Sequence, residues 1–232
     1  MEIASGTDIG HKYRENYDVL HVDLEPPLIV VADGMGDGDG SRAAGRTTAE
    51  VLVPALRAIR TVTPEALRAA VYETAAAVRA AGARIPGLTG CTLAAIVPTG
   101  PTAWIVQLGD SRVYRLREGW LELLTVDHTA AWIGLTHGFL RAGAPDTFRA
   151  SYQLFRYLGH PANPEPDLLA VELRAGDVLL ACTDGISDQL TYQQLVDILG
   201  TGTCAEIVAR LLAAAEAAGG NDNATAAVLR VS

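Results

Sequence analysis

Cys91–Leu124 reads CTLAAIVPTGPTAWIVQLGDSRVYRLREGWLELL, and the way it divides decides the fold. Three breaks interrupt it, at Pro98-Thr-Gly-Pro101, Gly109-Asp110 and Glu118-Gly119. Each break supplies the glycine or proline that a tight turn needs. The pieces between them are Cys91–Val97, Thr102–Leu108, Arg112–Arg117 and Trp120–Leu124. They are short, apolar and rich in β-branched and aromatic side chains, which suits strands and not helices. Strands this closely spaced are predicted to run antiparallel as a meander.

Upstream, Asp18–Asp23 reads as a short strand. Leu28–Ala32 (LIVVA) is a continuous apolar run, as expected of a strand buried on both faces. Ser41–Arg60 repeats apolar residues at helical spacing: Ala44, Thr48, Val51, Leu52, Ala55 and Ile59. Pro54 inside it predicts a kink or an early stop. Thr63-Pro64 then offers an N-cap and a first-turn proline for a second helix, with Leu67, Val71, Ala75 and Val78 on its apolar stripe.

Downstream, residues 127–159 are irregular and weakly helical. Strands resume at Leu168–Leu173 and Val178–Cys182. Two helices follow, because Thr191-x-x-Gln194 and Thr203-x-x-Glu206 both have capping-box spacing. Gly219-Gly220 stops the second, and Ala224–Val231 is a last strand. Helices therefore come in pairs near the two ends, around a strand-rich middle. That order predicts an α+β fold with helices covering packed sheets, in one domain over residues 1–232.

Of the 232 residues, 49% are hydrophobic and 19% charged, ample for a core and too apolar for a disordered chain. The net charge of -9 repels nucleic acid and anionic membranes, so neither is an expected partner. A phosphorylated partner would be an anion too, and would need local cations. Cys91, Cys182 and Cys204 are odd in number, widely spaced and without a CxxC pair, which argues against a disulfide framework or a zinc ribbon. The first 18 residues contain no apolar signal-peptide core, and no stretch approaches the roughly 20 apolar residues of a membrane span. A cytoplasmic location is the expectation.

Four aspartates mark the ends of the most apolar strands. Asp33 follows LIVVA, Asp110 follows WIVQLG, Asp184 follows VLLACT, and Asp222 precedes ATAAVLRV. One Asp-Gly pair alone is an ordinary turn. Four carboxylates at strand ends repel one another unless neutralised, and hard divalent cations are suited to oxygen ligands. Asp37-Gly-Asp39-Gly-Ser41 is not an EF-hand loop, since Arg42 and Thr48 occupy its required glycine and glutamate positions. No Walker phosphate loop, dinucleotide fingerprint or GxSxG nucleophile elbow occurs.

Six segments in order resemble the PPM, or type-2C, family of metal-dependent serine/threonine protein phosphatases in its bacterial form. They are DIGHKYRENYD (8–18), similar to the family's opening strand, VADGMGDGDGSRAAG (31–45), TGCTLAAIV (89–97), LGDSRVYRLREGWLELLTVDHT (108–129), AGDVLLACTDGISDQL (175–190) and GGNDNATAAVL (219–229). The resemblance implies a central antiparallel β-sandwich flanked by helix pairs, four layers αββα, with metals at one end. It implies two core Mg²⁺ or Mn²⁺ ions and a possible third. Asp33 matches the aspartate bridging the core ions, Gly34 a carbonyl ligand, and Asp184 and Asp222 the other core carboxylates. Asp127 matches an acid that shares a third ion with Asp184, and Asp18 a carboxylate that orients bound water. The implied reaction is attack on a phosphoserine or phosphothreonine ester by a water between two cations. The partner implied is a phosphorylated protein of a serine/threonine kinase pathway, met by a monomer.

Several positions depart from the family pattern. The usual phosphate-binding arginine falls on Tyr13, so Lys12 or Arg14 is expected to take its role. Met35 stands where some members carry histidine, which leaves the general acid open, with His128 a candidate. Gly38 and Asn221 replace a common histidine and a common arginine. Residues 127–159 correspond to the family's flap beside the site; core packing is the expected role of Trp132 and Phe139 within it. Two alternatives stay open: a phosphoprotein-binding module with weak turnover, and a phosphatase for small phosphomonoesters.

Overall fold

A computed structural model describes residues 1–232. The elements run β1 (Glu2–Asp8), β2 (Val19–Leu24), β3 (Pro27–Ala32), α1 (Asp39–Ala58) and α2 (Pro64–Gly82). Then come β4 (Leu93–Thr99), β5 (Thr102–Leu108), β6 (Arg112–Arg117) and β7 (Trp120–Leu123). α3 (Ala130–Thr136) and α4 (Pro145–Ser151) lead to β8 (Asp167–Glu172) and β9 (Val178–Cys182). α5 (Asp184–Ser187), α6 (Tyr192–Leu199), α7 (Cys204–Ala217) and β10 (Ala224–Arg230) complete the chain.

Two five-stranded sheets, ordered β1-β10-β9-β6-β7 and β2-β3-β4-β5-β8, are antiparallel throughout. Period-two alternation builds the layers. In β3, Ile29 and Val31 join Ile96, Ile105, Leu179 and Leu229 between the sheets. Leu28, Val30 and Ala32 face the other way, toward Leu52, Leu67 and Val71 of α1 and α2. On the opposite side, Leu180 and Val228 pack under Leu195, Ile207 and Leu211 of α6 and α7. The result is the expected α+β sandwich in four layers.

The meander is corrected. β4–β5 and β6–β7 are both hairpins, but they belong to different sheets, and the chain crosses between them at Gly109-Asp110-Ser111. Gly109 has φ +98°, and a Cβ there would lie 2.7 Å from Thr92 Cγ2. Only glycine allows this close, left-handed exit from β5. The first strand is also displaced. β1 is Glu2–Asp8, a partly exposed edge strand with little apolar alternation, and the 9–18 segment that follows is turn and loop. Pro54 does not stop α1, which continues to Ala58 with the proline on its exposed side. Thr63, Thr191 and Thr203 cap their helices as their spacing predicts, the last two as complete capping boxes. No helix is long and apolar enough to cross a membrane.

Candidate functional site

The sandwich brings the four strand-end aspartates to one place. Asp33, Asp110, Asp184 and Asp222 line a cavity of about 190 Å³ together with Gly34, Lys12, Tyr13 and Asn223. Backbone and hydroxyl bonds hold the acids there. Asp33 N donates to Thr92 Oγ1 at 2.8 Å, and Thr92 N returns a bond to Asp33 O at 2.9 Å. Thr92 Oγ1 and Ser111 Oγ lie 2.6 Å apart, tying β3 to the crossover that carries Asp110. A Cβ on Gly185 would come within 1.9 Å of Asn223 O, so glycine there lets the Asp184 and Asp222 segments meet.

Asn223 fixes the 9–17 loop over the cavity. Its Nδ2 donates to Ile9 O at 2.8 Å and Glu15 O at 3.2 Å, and its Oδ1 accepts from Tyr17 N. Gly10 packs where a Cβ would lie 2.3 Å from Asp222 O. The loop delivers Lys12, whose Nζ is 3.3 Å from Asp222 Oδ2 and 4.5 Å from the centre of the Tyr13 ring. Burial opposes the Lys12 charge, but Tyr13 and Asp222 outweigh it and raise its pKa.

Apart from the Lys12–Asp222 contact, the acids lack cations of their own. Burial first, then Asp184 and the other aspartates, hold the Asp33 carboxyl well above the usual range. Asp184 is raised by burial and then by Asp110 and Asp222. Burial, with Asp127 and Asp188 adding to it, pushes Asp110 to about 7. Asp18 accepts from Thr183 Oγ1 at 2.9 Å, yet burial lifts it to about 6. Asp18 Oδ1 and Asp184 Oδ1 are buried with no hydrogen-bond partner. Orphaned oxygens and crowded, desolvated carboxylates fit a hard divalent cation. No three acidic, histidine or cysteine side chains close into a cage unaided. Mg²⁺-type ions need no such cage, because they keep several waters and take one or two carboxylates each.

Three sequence expectations fall elsewhere. Asp127 does not line the cavity. Arg112 grips it with two bonds, Nε–Oδ1 at 2.9 Å and Nη2–Oδ2 at 2.5 Å. Asp110, whose strand-end position beside glycine was visible but carried no ligand role, lies in the cavity instead. His128 is only 2% exposed, accepts from Gly109 N at Nδ1 and faces Asp167 with Nε2 at 3.1 Å. Burial lowers its pKa, and the geometry makes it a neutral support under the crossover, away from the cavity lining. Arg14 is exposed and lines none of the cavities around the aspartates, whereas Lys12 lines two.

A family model for protein phosphatase 2C matches residues 14–226. The chain belongs to the protein phosphatase 2C family. It is 32% identical to the serine/threonine protein phosphatase PstP of Mycobacterium tuberculosis (strain CDC 1551 / Oshkosh) over 239 residues, covering all of this chain but 45% of that relative. It thus spans about half the length of the mycobacterial relatives it matches. A putative protein phosphatase 2C-type of Streptococcus pyogenes is 29% identical over 250 residues and is covered to 97%. The PstP catalytic domain in complex with two manganese ions superimposes with a TM-score of 0.87 at 31% identity, covering 100% of this chain and 98% of that one. The two antiparallel sheets between helices are what the resemblance implies, and they agree with the helix-covered sheets that the element order predicts.

Proposed function

We propose that this chain hydrolyses phosphoserine and phosphothreonine in proteins with two Mg²⁺ or Mn²⁺ ions. The observation that carries the reading is the set of aspartates on one cavity with Lys12 as its only basic side chain. In this reading Asp33, Asp184, Asp222 and Gly34 would hold the core ions. A third ion, where bound, falls to Asp110 and Asp184, because Arg112 already occupies both oxygens of Asp127. Two bound cations would supply charge for the phosphoryl oxygens and acidity for an attacking water.

The chain's own residues do the rest. Asp18, held by Thr183, presents its free oxygen as an acceptor that orients water. Lys12 turns from Asp222 to the incoming phosphate once Asp222 is neutralised, replacing the arginine absent at Tyr13. As a point charge it positions less strictly than a two-pronged guanidinium. Asn223 keeps the Lys12 loop in place through its three backbone bonds. Residues 1–232 act as a single phosphatase domain with 127–159 as an insertion beside the site, working as a cytoplasmic monomer on kinase-made phosphoproteins.

The decisive measurement is hydrolysis of p-nitrophenyl phosphate and of a phosphothreonine peptide with Mn²⁺, for the wild type and Asp33→Ala. The reading expects metal-dependent turnover that the substitution abolishes. Mn²⁺ binding by calorimetry without turnover of either substrate would instead support the binding-module alternative, which Tyr13 keeps open. Turnover of the small ester alone would support the phosphomonoesterase alternative.

A further inference from the structure

The aspartate site has a larger neighbour. A groove of about 820 Å³ opens beside it, walled by Trp132 and Leu135 of α3, Phe148 of α4 and Leu123 of β7. These four side chains are 41%, 38%, 66% and 44% exposed. Core packing, the role expected for Trp132, is therefore ruled out, and Phe139 at 81% exposure is likewise no core residue. Single exposed apolar residues are common on any protein, but four large ones facing one concavity mark a recognition surface.

The groove is built and not merely open. Thr129 Oγ1 caps α3 by accepting from Trp132 N at 3.2 Å. Gly134 O accepts from both Phe139 N and Leu140 N, which folds the chain back between α3 and α4. Thr147 Oγ1 donates to Arg141 O at 2.6 Å, and Thr129 bridges to Leu154 across the base of the segment. A preformed wall of this kind binds with little ordering cost.

The floor gives the groove a direction. Arg112 spends its two-pronged grip on Asp127, so Asp188 has only a 3.8 Å contact with the same guanidinium. Asp188 borders the groove and also a smaller cavity lined by Lys12, Asp184 and Asp222. It is an under-neutralised acid at the junction between the apolar groove and the aspartate site.

We propose that this groove docks a large apolar side chain of the phosphorylated polypeptide, a few residues from the phosphoresidue, with a lysine or arginine between them facing Asp188. The proposal rests on the phosphatase reading and names the substrate class of that site. Continuity through Asp188 sets the path, and the charge of Asp188 sets the intervening residue. The groove and the smaller cavity share Asp188, and that cavity shares Lys12, Asp184 and Asp222 with the aspartate site, so one extended segment can run from one to the other.

The test uses two peptides carrying a phosphonate analogue of phosphoserine, which cannot be hydrolysed. One has phenylalanine and arginine beyond the phosphonate; in the other the phenylalanine is alanine. Binding with Mn²⁺ present is read by fluorescence anisotropy for the wild type, Trp132→Ala/Phe148→Ser and Phe148→Ser alone, with folding checked by circular dichroism. The single variant covers the case in which the double one misfolds. The wild type is expected to prefer the phenylalanine peptide about tenfold, the scale of one buried apolar side chain, and the variants to lose that preference. Their hydrolysis of p-nitrophenyl phosphate, too small to reach the groove, is expected to stay within about twofold. Equal wild-type affinity for both peptides, or a preference that survives in a folded variant, overturns the proposal. So does concentration-dependent dimerisation that the substitutions abolish, which would give the groove to a second copy. A wild type that prefers the phenylalanine peptide but hydrolyses nothing keeps the groove and sinks the catalytic reading.

Discussion

Asp177 and Asp33 both sit beside strands of the sandwich, and the protein treats them in opposite ways. Arg117 grips Asp177 through Nε at 2.7 Å and Nη2 at 2.6 Å, and Arg174 N adds a third bond. Asp127 with Arg112, and Asp167 with Arg156 at 2.5 Å, are paired with arginines too. Asp33, Asp110 and Asp184 form no ion pair with an arginine or lysine, and at the cavity they crowd one another and Asp222. A carboxylate supplied with its own guanidinium is already neutralised and acts as a structural pin. Carboxylates massed without one cost free energy until an outside cation arrives, and proteins keep such costs at functional sites. The same residue type thus divides into two roles by its partner, not by its burial.

The largest effects should separate these two groups in catalysis. Asp33→Ala and Asp184→Asn are expected to cut Mn²⁺-dependent turnover on the order of a thousandfold and to weaken Mn²⁺ binding in calorimetry. Asp127→Asn should change turnover by less than about tenfold. Comparable loss from Asp127→Asn would break the division and return that residue to the metal site.

Asp110 and Lys12 test the edges of the cavity group. Asp110→Asn should lower turnover by roughly 10–100-fold while core Mn²⁺ binding persists. Lys12→Met should raise KM for a phosphopeptide about tenfold with a smaller change in kcat. If Arg14→Ala raises KM and Lys12→Met does not, the phosphate contact belongs to the exposed arginine.

Stability should separate the groups in the reverse sense. Arg112→Ala strands Asp127 without its partner and is expected to cost about 3 kcal/mol. For a domain of this size that lowers Tm by roughly 6–12 °C. Asp33→Ala removes a repelled charge and should leave the metal-free Tm unchanged or higher, and Mn²⁺ should raise the wild-type Tm through binding linkage. A large metal-free destabilisation by Asp33→Ala would mean the cavity aspartates also pin the fold.

Much of this was legible in the sequence. LIVVA at Leu28–Ala32 announced a strand covered on both faces, and the two Thr-x-x-Gln/Glu boxes placed α6 and α7. Asp33, Asp184 and Asp222 stood out, with Asp110, as acids at the ends of apolar strands, and the resemblance gave those three their ligand roles. What stayed hidden depends on contacts between distant segments. Nothing local says that Arg112 bonds Asp127 across 15 positions; the resemblance gave Asp127 a share of a third ion and gave no role to Asp110, one of the four strand-end aspartates. The split of the meander at Gly109 needs Thr92 as a neighbour. The exposure of Trp132 and Phe148 depends on helices too short to show a clear apolar stripe.

The smallest expected effect is a difference in the sign of pH dependence. Burial pushes the Asp177 carboxyl up, but Arg117 and the Arg174 amide outweigh it, and its folded pKa lies below the usual value. Such a group adds stability above its unfolded pKa of about 3.9 and loses it as pH falls through the lowered folded value. The Tm gap between wild type and Arg117→Ala should therefore be widest near neutrality, about 2 kcal/mol in stability, and close in acid below about pH 4. Asp18 and Asp110 run the other way. Their folded values are raised to about 6 and about 7, so the stability they contribute is present below about pH 3.9 and lost as pH rises through the folded values. In chelator, cavity acids should make the protein less stable from pH 5 to 8. Mn²⁺ should remove that slope, because a bound cation favours the charged form that proton loss creates. Thermal melts of wild type and Arg117→Ala, each with chelator and with Mn²⁺ across this range, measure both slopes in one series. A metal-free slope that Mn²⁺ leaves untouched would place the cavity acids with Asp177, as partners already satisfied by the protein.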